Sequence, residues 1–277
     1  MFKAIHNDPK QLHAIFDSFS GLITDFNIRI RKDGLYINEL DSSHVCMIML
    51  ELNEDEFSVF EYTEDIQLGI HLKNLVSLLK VGRNAESIEL YVNDEDTLDI
   101  SFSTSYDKKE YSLKLMDLDT AELEPNSMDY YCEFDISPNI YNDIIDSACV
   151  TGTDVLKSRI HNGKLQFISD GDMGNLTQSF DRGENIDKKK LVIKSKSGES
   201  KKIPHPKSNS YTLHSCSGEF ESEFSIRNLE LFKKATGLVD KVSINISPSV
   251  PLRIDLMIND NTGSIINFYL APKITET

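Results

Sequence analysis

The sequence has no long apolar run. No stretch of 18 such residues occurs among its 277, so nothing in it is expected to span a bilayer. The opening Met-Phe-Lys-Ala-Ile-His-Asn-Asp-Pro lacks the apolar core of a signal peptide, and no export is expected. Four scattered cysteines (Cys46, Cys132, Cys149, Cys216) form no Cys-x-x-Cys. That argues against a disulfide framework or a zinc site and fits buried thiols in a reducing compartment. The seven histidines show no metal-ligand spacing. Asn93-Asp94-Glu95-Asp96 and Asp170-Gly171-Asp172 lack the central glycine and closing Glu of a calcium loop, so both read as turns. Gly171-Asp172-Met173-Gly174-Asn175 has no following Gly-Lys-Ser/Thr and is no phosphate loop. Asp41-Ser42-Ser43-His44 holds the residue types of a hydrolase triad. Neighbours in one tight segment cannot form that relay, which is built from separated elements. No enzyme, metal or cofactor is expected.

What is present is acid. The net charge is −16, from 29 basic and 45 acidic residues. The charge is uneven, because the stretch from Asp187 to Lys207 holds eight lysines and two acids, +6, leaving −22 elsewhere. Such a chain repels nucleic acid globally and can approach it only through local basic surfaces.

The chain also repeats a plan. Phe2-Lys3-Ala4-Ile5, then Pro9 and an apolar-periodic segment, leads to Asp33-Gly34-Leu35-Tyr36-Ile37. Cys132-Glu133-Phe134-Asp135-Ile136, then Pro138, leads to Asn162-Gly163-Lys164-Leu165-Gln166-Phe167. Each reads as strand, helix, strand, tight turn, strand, with Pro in the first helical turn and Asp-Gly or Asn-Gly as the hairpin signal. A second helix in each half starts at Leu72 and at Ile226. The lysine-rich stretch reads as a surface loop inserted into the second repeat. Alternation marks further strands at Ile88–Val92, Leu98–Phe102 and Leu252–Leu256. The fold class is α+β, mostly antiparallel strand with four short helices, two per half.

Each helix has an apolar and a polar stripe. In the second, Leu72, Leu75 and Leu79 face a sheet, while Lys73, Ser77 and Lys80 share the other face. In the fourth, Ile226, Leu229 and Phe232 point inward. Arg227 and Lys234 point out, with Lys233 and Lys241 nearby. Such lysines neutralise phosphates without reading bases. The first helix offers Lys10 and His13 but also Asp17. The third, from Pro138 to Ala148, presents Asp143 and Asp146, and like charge is unfavourable beside phosphate.

Three segments carry a resemblance: Leu40-Asp41-Ser42-Ser43-His44-Val45, Leu113-Lys114-Leu115-Met116-Asp117-Leu118-Asp119, and Asn267-Phe268-Tyr269-Leu270-Ala271-Pro272-Lys273-Ile274. In this order they resemble the eukaryotic-type DNA sliding clamps, the proliferating cell nuclear antigen family. Glu61 to Lys80 is similar to that family's DNA-binding segment, and Ser225 to Thr236 to its last pore helix. The resemblance implies a two-domain clamp with antiparallel sheets outside, four helices lining a pore, and three subunits closed head to tail. The implied divisions are 1–117, a connecting loop 118–130, and 131–277 with an insert at about 185–210.

The implied function is a ring-shaped polymerase processivity factor that encircles duplex DNA without sequence preference. DNA contacts fall on Lys10, His13, Lys73, Lys80, Arg83, Arg227, Lys233 and Lys234. Partners are a DNA polymerase, a clamp loader and proteins bearing a PIP box, a short peptide with a helical turn and two aromatic plugs. Its pocket would be built from Leu40, His44, Val45, Leu123, Pro251, Tyr269, Ala271, Pro272 and Ile274. Subunits would join through Tyr111, Leu113 and Lys114 on one edge and Asn175, Thr177 and Ser179 on the other. His161 stands where the family's modified lysine would be, although Lys164 is close. The implied location is the nucleus or a viral replication site. The alternative is a clamp-fold adaptor, of a checkpoint or viral late-transcription type, that forms no homotrimeric ring.

Overall fold

The computed structural model describes residues 1–93, 96–118, 123, 128–162, 164–181, 211–216 and 218–273. The lysine-rich insert, Ile274 and most of the connecting loop lie outside them.

The first half contains β1 (Phe2–His6), α1 (Pro9–Ser18), β2 (Asp25–Arg31), β3 (Gly34–Leu40), β4 (Cys46–Asn53), β5 (Val59–Tyr62), β6 (Ile66–His71), α2 (Leu72–Gly82), β7 (Ser87–Val92), β8 (Thr97–Ser103) and β9 (Lys108–Lys114). The second contains β10 (Cys132–Ile136), α3 (Pro138–Cys149), β11 (Val155–His161), β12 (Lys164–Gly171), β13 (Gly174–Asp181), β14 (Tyr211–Cys216), β15 (Phe220–Ser225), α4 (Ile226–Thr236), β16 (Val242–Ile246), β17 (Leu252–Asn259) and β18 (Ser264–Leu270). Strand and helix alternate identically in the two halves, which is the duplication read from the sequence.

Local chemistry starts the helices where the sequence places them. Asp8 caps α1 by accepting from the Gln11 amide at 2.9 Å, with Pro9 in the first turn. Ser137 and Ser225 cap α3 and α4 in the same way. The inward stripes Leu72, Leu75, Leu79 and Ile226, Leu229, Phe232 are all buried.

The two hairpins differ in register. Asn162 and Gly163 separate the paired residues His161 and Lys164, whereas Arg31 pairs with Gly34. The first loop is therefore Lys32-Asp33, one residue earlier than Asp33-Gly34. Gly34 is needed for a different reason: a Cβ there would lie 2.3 Å from the Leu52 carbonyl oxygen on β4.

The strands form three antiparallel sheets, ordered β5-β1-β7-β8-β9, β14-β10-β16-β17-β18-β4-β3-β2-β6 and β13-β12-β11-β15. The nine-stranded sheet joins the two halves where β18 pairs with β4, Phe268 opposite Ile48. The helices lie in a row, α1 touching α2 and α4, and α4 touching α3. The row order is thus α2-α1-α4-α3. The Phe232 ring of α4 stacks on Phe268 of β18, centroids 4.4 Å apart, so even-numbered β18 residues face the helices. Tyr269 and Asn267 then face outward. The Tyr141 hydroxyl donates to the Leu229 carbonyl at 2.8 Å and ties α3 to α4.

Candidate docking groove, helix face and strand edges

On the helix face, Lys10, Lys73, Lys80, Arg83, Arg227 and Lys234 are exposed, and His13 and Lys233 are half-buried. Segment 72–83 carries three bases and no acid. His13 sits between the first two helices. Burial holds its imidazole below the usual value of 6.5, with Arg83 and Lys80 adding to the effect and Asp17 opposing it.

Three acids of the helix row are engaged. Lys233 bonds Asp146 of α3, and Lys234 reaches Asp17 of α1 at 3.7 Å. Asp143 accepts from Gln178 of β13 at 3.1 Å. The third helix is acidic, as its sequence indicates, yet Asp146 leans toward α4 and Asp143 toward β13. Lys241 does not join the helix face. Its ammonium lies 3.1 Å from Asp135, which also binds His214 at 2.7 Å.

The opposite sheet face carries an apolar row. Leu40 pairs with Met47, Met47 with Tyr269, and Tyr269 with Arg253, across β3, β4, β18 and β17. Val45 and Ala271 extend it, the Ala271 amide donating to the Val45 carbonyl at 2.9 Å. Pro251, Tyr269, Ala271 and Pro272 are half-buried. Burial raises the Tyr269 phenol and pushes that of Tyr130 up to about 12.

The turn at Asp41 fixes one end of this row. The Asp41 carboxylate accepts from the amides of Val45 and Cys46 at 2.8 and 2.7 Å and from the Ser43 hydroxyl. Burial would raise this carboxyl, but the hydroxyl and amide bonds together hold it low. His44 is exposed at the tip with φ 57°, as a tight turn requires. The Ser43 hydroxyl bonds Asp41, and that carboxylate anchors the turn.

The connecting loop crosses the same face. Met116 donates to the Gly69 carbonyl at 2.8 Å, Asn27 and Gln67 donate to the Leu118 carbonyl, and Asn38 donates to the Leu123 carbonyl at 3.2 Å. Ser247 beyond β16 receives the far end through the Asp129 carbonyl at 3.0 Å. A Cβ on Gly69 would meet the Met116 oxygen at 2.1 Å, so the loop's close approach requires glycine. Leu40, Val45, Pro251, Tyr269 and Ala271 therefore lie along one face, and the Leu123 backbone meets that face at Asn38.

The strands named for subunit contact are both sheet edges. β9 ends one sheet and β13 another. Asn175, Thr177 and Ser179 are exposed, as is Lys114. Leu113 is buried and turns its side chain into the core, so what it offers at the edge is backbone. Tyr111 packs edge-on against Phe102 at 6.1 Å.

Sequence reading passed over Met47 and Arg253, which lie in the row itself. Period-two alternation along β4 and β17 could have found them once their register with β18 was known.

Two matching halves, one sheet running through both and a row of helices on its inner side define a clamp-fold protein. Residues 1–123 match the family model for the proliferating cell nuclear antigen N-terminal domain, and residues 126–273 that for its C-terminal domain. Proliferating cell nuclear antigen of Chaetomium thermophilum (strain DSM 1495 / CBS 144.50 / IMI 039719) is 27% identical over 268 residues, 96% of this chain and 95% of the relative. The chain belongs to the proliferating cell nuclear antigen family, the non-enzymatic DNA sliding clamps that serve replication as polymerase processivity factors.

Proposed function

We propose that three copies of this chain close head to tail into a ring around duplex DNA. The chain then divides into a first domain at 1–117, a connecting loop at 118–130 and a second domain at 131–277. The observation that carries this is the pair of free edges, β9 beside α2 and β13 beside α3. Each end of the helix row thus sets a helix beside an edge strand, and joining β9 to β13 of the next copy removes both edges. The mass of the protein in solution tests this: three times the chain mass is expected, and a stable monomer would count against it in favour of an adaptor that forms no such ring.

Within the ring, Lys10, His13, Lys73, Lys80, Arg83 and Arg227 contact phosphates, with Lys233 and Lys234 contributing when released from their acids. The reversal Lys80→Glu with Lys234→Glu should slow loading while the trimer persists. The lysine-rich insert supplies further positive charge, and deleting residues 188–207 should weaken retention on DNA; unchanged processivity would remove that role.

The outer row is the docking site for polymerase, loader and other PIP-box proteins. Leu40, His44, Val45, Leu123, Pro251, Tyr269, Ala271, Pro272 and Ile274 form its wall, floor and rim. An aromatic plug fits an apolar strip walled by a loop and flanked by few polar groups. Tyr269→Ala or Leu123→Ala should abolish polymerase stimulation with the ring intact. Full stimulation by both variants would refute this site. The protein would act in the nucleus.

A further inference from the structure

We propose that Arg253 sets the selectivity of the docking groove by binding a carboxylate that the docked peptide carries beside its aromatic anchor. This rests on the docking reading above and adds the chemistry of the partner.

The row Leu40, Met47, Tyr269 is apolar or aromatic for three strands and then meets a guanidinium. An aromatic plug can stack on the face of that guanidinium, but stacking leaves its in-plane N–H groups without acceptors. The neighbours of Arg253 fix its direction. Its Nε donates to Asp255 Oδ1 at 2.7 Å. Asp255 is itself held, its Oδ2 accepting from Asn245 at 3.0 Å and its Oδ1 from Asn267. Asp255 thus has no freedom to swing across and chelate the rest of the guanidinium. Among the described residues, the Arg253 guanidinium makes no second hydrogen bond, and its side chain is 38% exposed. Its remaining N–H groups are left to meet an acceptor from outside.

Those groups form a planar fork that matches a carboxylate with two parallel bonds. A phosphate is disfavoured at the same place, because its second negative charge would lie against Asp255. The nearby phenols of Tyr130 and Tyr269 give the site a half-buried wall, where a charge-assisted bond is screened less than at an open surface. The arginine stays charged there, its basicity raised first by the bond to Asp255 against the cost of burial. Adjacent strands are about 4.8 Å apart. A ring seated on Tyr269 therefore places the carboxylate one or two residues away along the peptide.

The experiment uses the full-length clamp and fluorescein-labelled peptides with two aromatic plugs, measured by anisotropy. Two sets of peptides differ only in Glu or Gln at each position within two residues of either plug. At one position the Glu peptide should bind about tenfold more tightly, which is ~1.4 kcal/mol. Arg253→Leu should bring the Glu and Gln peptides to equal affinity. Arg253→Lys, which keeps the charge without the fork, should retain only part of it. Equal binding of Glu and Gln peptides at every position, or a preference that survives in Arg253→Leu, overturns the proposal and leaves the groove standing. Failure of every peptide to bind the unaltered clamp overturns the groove reading itself. A loss of Gln-peptide binding in both variants would assign Arg253 to groove structure instead and also overturn the proposal.

Discussion

Lys233 on α4 is bonded to Asp146 on α3, 87 residues earlier in the chain, and Lys234 beside it lies 3.7 Å from Asp17 on α1. Two bases of the fourth helix are therefore compensated by acids of its two neighbours. In the proposed ring, phosphates entering the pore would compete with those carboxylates for the same ammonium groups. Asp146→Asn should release Lys233, raise DNA affinity several-fold at low salt and steepen the salt dependence by about one released counterion. Asp143→Asn removes the same charge from the same helix, but that acid is held by Gln178. It should change affinity less. Binding isotherms on linear duplex across a salt series compare the two variants, and equal effects would leave net charge as the whole explanation.

His13 should make DNA binding depend on pH. Its folded pKa is lowered from 6.5, so the ring is neutral at pH 7.5. A phosphate beside it favours the protonated form, and by linkage proton uptake favours the complex. Affinity should rise as the pH falls from 7.5 toward 6, and His13→Gln should flatten that rise. A pH profile of affinity that is identical in the variant would remove His13 from the DNA face.

His6 should do the reverse to stability. It is buried, and burial lowers its pKa against the opposing pull of Glu56 and Asp8. Its Nδ1 accepts from the Asp8 amide at 3.0 Å, which requires the unprotonated nitrogen. Below about 6.5 the unfolded chain takes up a proton that the folded chain resists, so stability falls with pH in that range. Melting temperatures at pH 7.5 and 5.5 should differ less in His6→Asn, whose side-chain oxygen can accept from the same amide.

Gly69→Ala puts a Cβ into the Met116 carbonyl. The segment at Met116 that leads into the connecting loop would have to lift from β6, at a cost of about 1–3 kcal/mol by analogy with overpacked sites. Urea unfolding should show the loss, and limited proteolysis should cleave faster within 118–130. An unchanged cleavage rate would mean that the loop does not depend on this contact.

Phe232→Ala removes a ring that is fully buried and stacked on Phe268. It should cost about 3–5 kcal/mol. Since α4 and β18 both belong to the second half but β18 pairs into the first, calorimetry should show one transition moving as a unit. Two separate transitions would show that the halves melt independently.

The four helices were legible because each has a 3.6-residue apolar stripe and a local start, Pro9 and Pro138 in first turns and Leu72 and Ile226 after strands. The duplication was legible because hairpin and helix cues recur in order. The Lys32-Asp33 loop was not, since Gly34 is fixed by the distant Leu52 carbonyl rather than by turn geometry. Nor was the state of Lys233. Its spacing marks an exposed base, and only the packing of α3 beside α4 supplies Asp146. In the candidate groove, Leu40, Val45 and Tyr269 stand in motifs that resemble the family's, but Met47 and Arg253 enter through strand register. A pairing between residues more than two hundred positions apart leaves no local trace.

That same pairing has a consequence for how the chain is made. β4 is complete at Asn53, but its partner β18 begins only at Ser264. At roughly 5–20 residues per second, a ribosome needs about 10–40 s to synthesise the intervening segment. Throughout that interval the nascent first half has an open edge beside Met47 and Leu50, in a crowded compartment with other growing chains. A chaperone that shields this edge, or a pause that delays β4, would raise the yield of clamp without altering the finished molecule.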